Sequence, residues 1–414
     1  MSETAGDPDV AIIGAGPAGL IAAERLAQAG HSVTLYERMP SPARKFLLAG
    51  RGGLNLTHSE PFESFLPRYG AARDWLEPAL REFPPQALRD WADGLGAESF
   101  VGSSGRVFPK AMKASPLLRA WLARLDGLDV RLLPGRLWTG WDDTGALRFV
   151  TRESAVETVK PQATLLALGG ASWPRLGSDG GWQAILAAKD VAVAPLRPAN
   201  AGFAVAWSPV MRERFSGAPL KRIALSFAGR RAMGEAMIDA NGIEGGAVYA
   251  LSGLLREAIA RDGHADLAID LRPDLDGAAL AARLERRRAG ETLSNHLRKA
   301  AGLAPVATAL LREASPGSLP TEADKLAALI KAAPLRLTGT APIVRAISTA
   351  GGIVAAEIDA GFMLKRLPGV FVAGEMLDWE APTGGYLLQG CLATGVAAAE
   401  GIGRWLSSAG HARV

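Results

Sequence analysis

Short, mostly apolar runs set between glycine-bearing turns recur in the first two hundred residues. Val10–Ile13, Val33–Tyr36 and Ala163–Leu168 are built largely from aliphatic and β-branched residues without polar alternation. That is the pattern of strands covered on both faces, as in a parallel sheet. Leu20–Ala29 lies between the first two runs and reads as a helix, so residues 10–37 form one βαβ unit. Asp129–Leu133 and Leu147–Thr151 read as further strands, and a helix begins at Gln183–Ala188. Residues 59–125 are more polar and helical in texture, punctuated by Pro61, Pro67, Pro84, Pro85 and Pro116.

The texture changes after Pro195-Leu196-Arg197-Pro198. Strand candidates Ala201–Trp207, Ala224–Ala228 and Leu267–Leu271 alternate with helical stretches Leu251–Arg261, Ala278–Arg288 and Thr321–Ala332. Buried-strand texture returns beyond Ile347, in Gly351-Gly352-Ile353 and in Gly369–Gly374, and is followed by a small-residue helix, Tyr386–Leu406. The expected organisation is α/β: a Rossmann-like domain of residues 1–194 and 346–414, split by an inserted domain of residues 195–345.

The strongest chemical signal follows the first strand. Gly14, Gly16 and Gly19 form G-x-G-x-x-G, in the context strand, turn, helix, strand, acid. The first glycine permits the tight turn, the second lets backbone approach a diphosphate, and the third lets helix pack on strand. The helix N-terminus faces the diphosphate. Glu37, at the tip of the second strand, can accept hydrogen bonds from the adenosine ribose.

Two later segments point to the same ligand. Lys45–His58 places Gly50, Gly52 and Gly53 among Lys45, Arg51 and Asn55, a loop able to wrap a diphosphate. In Pro368–Gly390 a buried strand ends at Gly374-Glu375. Glu375 or Asp378 can hold a ribityl chain, and Gly384-Gly385 opens a helix whose positive end can stabilise a reduced flavin.

Composition narrows the class. With 48% hydrophobic and 21% charged residues over 414 positions, the chain reads as a globular protein of two or three domains. Its net charge of +4 is mild, and the Arg283–Arg288 cluster reads as a solvated helix face, so no nucleic-acid partner is expected. Cys391, the single cysteine, allows no intramolecular disulfide, and the five histidines lack metal-ligand spacing. Met1–Asp9 has no apolar core of a secretory signal, and no run is long enough to span a membrane; a cytoplasmic protein is expected.

Ala43–His58 (ARKFLLAGRGGLNLTH), Leu166–Trp182 (LALGGASWPRLGSDGGW), Thr349–Ile353 (TAGGI) and Gly374–Gly395 (GEMLDWEAPTGGYLLQGCLATG) are similar to the BaiN-type family. Its members are NAD(P)/FAD-dependent or aminoacetone-oxidase-like flavoproteins. The Gly351–Glu375 order also looks like that of fumarate reductase and ketosteroid dehydrogenase flavoproteins. The resemblance implies non-covalent FAD and an insertion with a β-barrel-like part and a small helical part, about residues 250–332. It implies cofactor contacts from Gly14, Gly16, Pro17, Ala18, Glu37, Arg38, Lys45, Asn55, Gly374, Glu375, Asp378, Gly385, Tyr386 and Leu387. Ala15, Gly53, Gly169 and Gly384, beside these motifs, complete the expected set. Gly53-Leu54-Asn55 stands where the family often has Arg-Cys-Asn, and Glu244-Gly245-Gly246 where many relatives have Ser-Gly-Pro. These departures point to a subgroup with its own substrate pocket.

The expected activity is hydride transfer between FAD and a small organic substrate held under the insertion. No second G-x-G-x-x-G is present, so NAD(P)H as a donor would bind transiently in the substrate cleft. Tyr386, Arg345, Tyr249 and His58 are chemically able proton donors, none singled out, and the catalytic residue stays unassigned. Two other readings share the fingerprint: an FAD-dependent RNA-modifying enzyme, for which the lone Cys391 is poorly suited, and a flavin sensor without turnover.

Overall fold

The computed structural model describes residues 7–411 apart from residue 316; of Arg51 and of residues 409–411 it describes only the backbone. Most of Met1–Asp9, the segment expected not to be a secretory signal, lies outside the described residues. The chain divides into two compact units, residues 1–197 with 348–414, and residues 198–347.

In the first unit, β1 (Val10–Ile13), β2 (Val33–Glu37), β3 (Arg131–Pro134), β4 (Ala163–Leu166) and β5 (Val370–Val372) form a five-stranded sheet in the order β5-β4-β1-β2-β3. Every pairing is parallel, and Val10–Ile13 align with Val33–Tyr36 on one side and Ala163–Leu166 on the other. All residues of β1, β2, β4 and β5 are buried, which explains their unbroken apolar runs.

The helix α1 (Pro17–Gln28) starts where Pro17 fits the first turn and stops before Gly30, whose φ of +88° no β-carbon residue adopts readily. It packs against the long helix α2 (Tyr386–His411), at whose Gly395 a β-carbon would come within 2.5 Å of the Ala18 carbonyl. The close crossing of the two helices therefore requires that glycine. One buried charge on α1, Glu24, is matched by Arg124 Nη1 at 2.9 Å and the Trp91 indole N–H at 3.1 Å. The 59–125 region holds the expected helices, among them Arg73–Glu82, Pro85–Asp93 and Ala114–Asp126, but also short strands Phe100–Val101 and Arg106–Phe108.

The second unit is built on a seven-stranded sheet whose pairings are antiparallel. Ala333–Leu337 lies at one end of the strand order and Gly339–Thr340 at the other, yet only Thr338 separates them in sequence. The sheet therefore curls so that its two end strands approach each other at Thr338, the direction of curvature that a barrel-like part requires. Helices Gly277–Leu284, Leu293–Ala300, Pro305–Ala314 and Ala323–Lys331 form the helical part and share the barrel's core.

Candidate cofactor-binding site

A cavity of about 550 Å³ opens in the first unit beyond the carboxyl ends of β1, β2, β4 and β5. Ile13-Gly14, Tyr36-Glu37, Ala167–Gly169 and Ala373–Glu375, the residues that end or follow these strands, all line it. Open parallel sheets place ligands at this edge, and the volume suits an organic ligand.

The three fingerprint glycines serve different ends. Gly14 has φ +105°, and a β-carbon there would lie 2.3 Å from the Ala167 carbonyl oxygen; at Gly19 it would lie 2.0 Å from that of Gly14. Both are demanded by the fold. Gly16, at φ −84°, has nothing within 4 Å of its would-be β-carbon and lines the cavity. No protein neighbour requires a glycine there. The first intrahelical bond of α1 runs from Leu20 N–H to Gly16 O, leaving the Ala18 and Gly19 N–H groups in the turn next to the cavity.

Polar groups ring the same space. Glu37 accepts from Met39 N–H at 2.7 Å and Ala15 N–H at 3.0 Å, while burial, the larger influence, pushes its carboxyl above the ordinary value. Arg38 pairs with Asp179. Lys45 Nζ donates to Glu375 Oε2 and Ser172 Oγ, each at 2.6 Å, and Glu375 Oε1 accepts from Thr349 N–H at 2.9 Å. The first loop and the last strand are thus joined across 330 residues of sequence. Cys391, on α2, also lines the cavity; burial and the Glu375 carboxylate push its thiol up to about 12.

Among the described residues, five carry a buried side-chain polar atom without a hydrogen-bond partner, and three of these line the cavity: Arg44 Nε, Trp138 Nε1 and Ser178 Oγ. The first two can only donate, and the hydroxyl can donate as well. A fourth, Asn55 Oδ1, is an acceptor beside the glycine loop. Buried polar atoms need partners. FAD carries acceptors in its diphosphate and adenine, and donors in its ribityl hydroxyls and flavin N–H, so the set fits it.

Of the expected contacts, Gly14, Gly16, Pro17, Ala18, Glu37, Arg38, Lys45, Gly169, Gly374 and Glu375 line the cavity. Ala15, Gly53, Asn55, Asp378, Gly384, Gly385, Tyr386 and Leu387 do not. Ala15 acts through its N–H to Glu37. A β-carbon on Gly53 would meet Met112 Cε at 2.9 Å, and one on Gly385 would meet Thr57 Cα at 2.4 Å. Gly384 abuts the Tyr386 ring in the same way, at 2.7 Å. The Asp378 N–H donates to Ile353 O, and burial raises its carboxyl. Helix α2 therefore borders the cavity at Cys391, and its glycine-rich start packs on the backbone of the short strand Thr57–His58. Arg44, Trp138, Ser178 and Asp179 are among the lining residues that the sequence did not single out.

None of the four donor candidates is among the residues lining the cavity. Tyr386 donates to Glu60, itself bidentate with Arg68, and burial and that carboxylate raise its hydroxyl strongly. His58 accepts from Glu60 N–H at 3.1 Å, and its other ring nitrogen lies 3.1 Å from Ser104 O. In the second unit burial, then the Glu244 carboxylate, pushes Tyr249 up to about 12, with Arg345 acting in the opposite sense. Among the described residues no group of three or more His, Cys, Asp or Glu is arranged to hold a metal.

The family described as HI0933-like protein Rossmann domain matches residues 8–401. The chain belongs to the HI0933-like family. FAD is its cofactor, and it is an FAD-dependent oxidoreductase. The BaiN-type resemblance is borne out by a relative matched end to end. That relative, the 3-dehydro-bile acid delta(4,6)-reductase of Clostridium scindens, is 25% identical over 416 residues, spanning 93% of this chain and 97% of its own. A 32-residue stretch is 69% identical to thiamine thiazole synthase of Pyrobaculum islandicum, covering 8% of this chain and 12% of that one. Among solved structures, the 3-ketosteroid delta1-dehydrogenase of Sterolibacterium denitrificans has the same fold, with a TM-score of 0.52 at 14% identity over 96% of this chain and 99% of the other. Mycobacterium smegmatis Sdh1 matches at a TM-score of 0.51 and 15% identity, over 97% and 69%. Among the described residues of this HI0933-like protein no helix is long and apolar enough to cross a membrane.

Proposed function

We propose that this protein reduces a carbon–carbon double bond conjugated to a carbonyl in a small organic substrate, using non-covalently held FAD. Cofactor binding is carried by the cavity at the carboxyl ends of the strands with its unmet buried donors, and the reductase reading is supported by the end-to-end likeness to a 3-dehydro-bile acid delta(4,6)-reductase. Bound FAD supplies hydride acceptance and donation. The chain's own residues bind and orient it: Gly16 and the first turn of α1 receive the diphosphate, Glu37 the adenosine ribose, and the Lys45–Glu375 pair the ribityl side. NAD(P)H serves as a transient reductant, and the inserted unit carries substrate selectivity. The cytoplasm is the proposed setting, compatible with the free Cys391.

Anaerobic addition of NADH or NADPH, followed by cyclohexenone or a steroid enone, tests this. One nucleotide should bleach the flavin and the enone, but not its saturated ketone, should restore the colour. Bleaching by an amine or alcohol substrate, with no reoxidation by any enone, would replace the reductase with an oxidase.

Glu37 gives a second test. Its carboxyl is raised in the folded protein, so on its own it costs stability as pH climbs from the unfolded value through the folded one. Ribose hydroxyls donating to the carboxylate favour its ionised form. FAD binding should therefore release protons in the acid range and tighten as pH rises there. Calorimetry in two buffers of different ionisation enthalpy reads the release, and Glu37→Gln should abolish it. An unchanged proton count in that variant would remove Glu37 from the site.

A further inference from the structure

Trp138 and Ser178 stand out among the cavity's residues. They are 5% and 6% exposed, yet the indole Nε1 and the hydroxyl Oγ have no partner. Both residues line the cavity. We infer that the Trp138 indole N–H and the Ser178 hydroxyl recognise the AMP half of the dinucleotide and so select FAD over FMN. The inference rests on the FAD reading and adds the residues that discriminate.

Position supports the AMP end. The strand carrying Trp138, Arg136–Trp141, packs against β2, whose last residue is the ribose-facing Glu37. Ser178 precedes Asp179, which pairs with Arg38, the residue after Glu37. Both donors therefore sit at the β2 side of the cavity, whereas Lys45, Glu375 and Cys391 mark the β5 side.

Chemistry supports it as well. An indole N–H can only donate, so it needs a buried acceptor, which adenine ring nitrogens and the adenylate phosphate and ribose oxygens provide. Leu137 and Ile185 also line the cavity, giving the apolar wall that a flat base requires. FMN lacks the adenylate half and would leave both donors unmet, whereas FAD satisfies them. An unmade hydrogen bond of this kind weakens binding about tenfold.

The test uses the full chain stripped of flavin and titrated separately with FAD, ADP and FMN. Trp138→Phe keeps an aromatic side chain without the N–H, and Ser178→Ala removes only the hydroxyl. Each should weaken FAD and ADP about tenfold and leave FMN unchanged. The nitrogen-15 indole spectrum gives a readout independent of folding losses. ADP should move the Trp138 signal and leave that of Trp121, whose Nε1 is also unpartnered but lies outside the cavity. FAD binding with the Trp138 signal unmoved, or equal weakening of FAD and FMN, would overturn this assignment and leave the cofactor intact. Binding of neither FAD nor ADP would overturn the cofactor reading itself.

Discussion

Gly16→Ala should give a folded protein that no longer retains FAD. The backbone at Gly16 has an ordinary negative φ, and the added methyl meets no protein atom within 4 Å. The stability cost should stay within about 1 kcal/mol, the scale of a weakened helix cap. The methyl does, however, project where the diphosphate must approach the first turn of α1. Losing charge-assisted hydrogen bonds there, at about 1.5–3 kcal/mol each, predicts FAD affinity lower by about a hundredfold. Thermal unfolding of the flavin-free protein and flavin titration measure the two effects separately. Gly14→Ala should behave oppositely and fail as a fold, since its methyl would strike the Ala167 carbonyl at 2.3 Å. Retention of FAD by Gly16→Ala at wild-type affinity would mean that the fingerprint turn does not carry the diphosphate.

Gly385→Ala should be strongly destabilising, although Gly385 does not line the cavity. Its φ of +96° is hard for any residue with a β-carbon, at about 1–3 kcal/mol. The methyl would also lie 2.4, 2.6 and 2.7 Å from the Cα, C and N atoms of Thr57. Backbone cannot swing aside as a flexible side chain does, and overpacking of this kind adds about 1–3 kcal/mol. Chemical denaturation should show a loss of about 3–5 kcal/mol. A loss below about 1 kcal/mol would show that the Thr57 segment moves freely against α2.

These two glycines show what the sequence made legible. The β1–α1–β2 unit with Glu37 could be read because its signals are local: apolar runs, fixed glycine spacing and an acid at the strand tip. Gly384-Gly385 was equally visible as a helix start. Its partner, the Thr57 backbone, was not, because a glycine does not announce what approaches it. Lys45 and Glu375 were each foreseen as cofactor contacts, but their mutual bond spans 330 residues. Trp138 and Ser178 carried no local signal, since a tryptophan in a short strand and a serine in a glycine loop acquire meaning only when β2 and β4 bring them to one cavity.

The inserted unit shows the same division. Leu267–Leu271 was close to the observed strand Ala265–Asp270, in which Ala265, Leu267 and Ile269 are buried at alternate positions. Arg230–Asp239 went unread because its buried positions, Ala232, Ala236 and Ile238, are mostly small and its other residues face outward. Ala201–Trp207 shrank to Phe203–Ala204, and Trp207 is instead anchored by its indole N–H to the carbonyls of Asp239 and Gly242. Barrel closure through Thr338 depends on pairing, which hydrophobic pattern alone does not encode.

The cavity at the strand ends should hold FAD without a covalent bond. Purified protein should be yellow; acid denaturation should release all of the flavin, and mass spectrometry should identify it as FAD, one per chain. Flavin that stays with the precipitated protein, FMN in place of FAD, or a colourless protein that FAD cannot reconstitute would contradict the account.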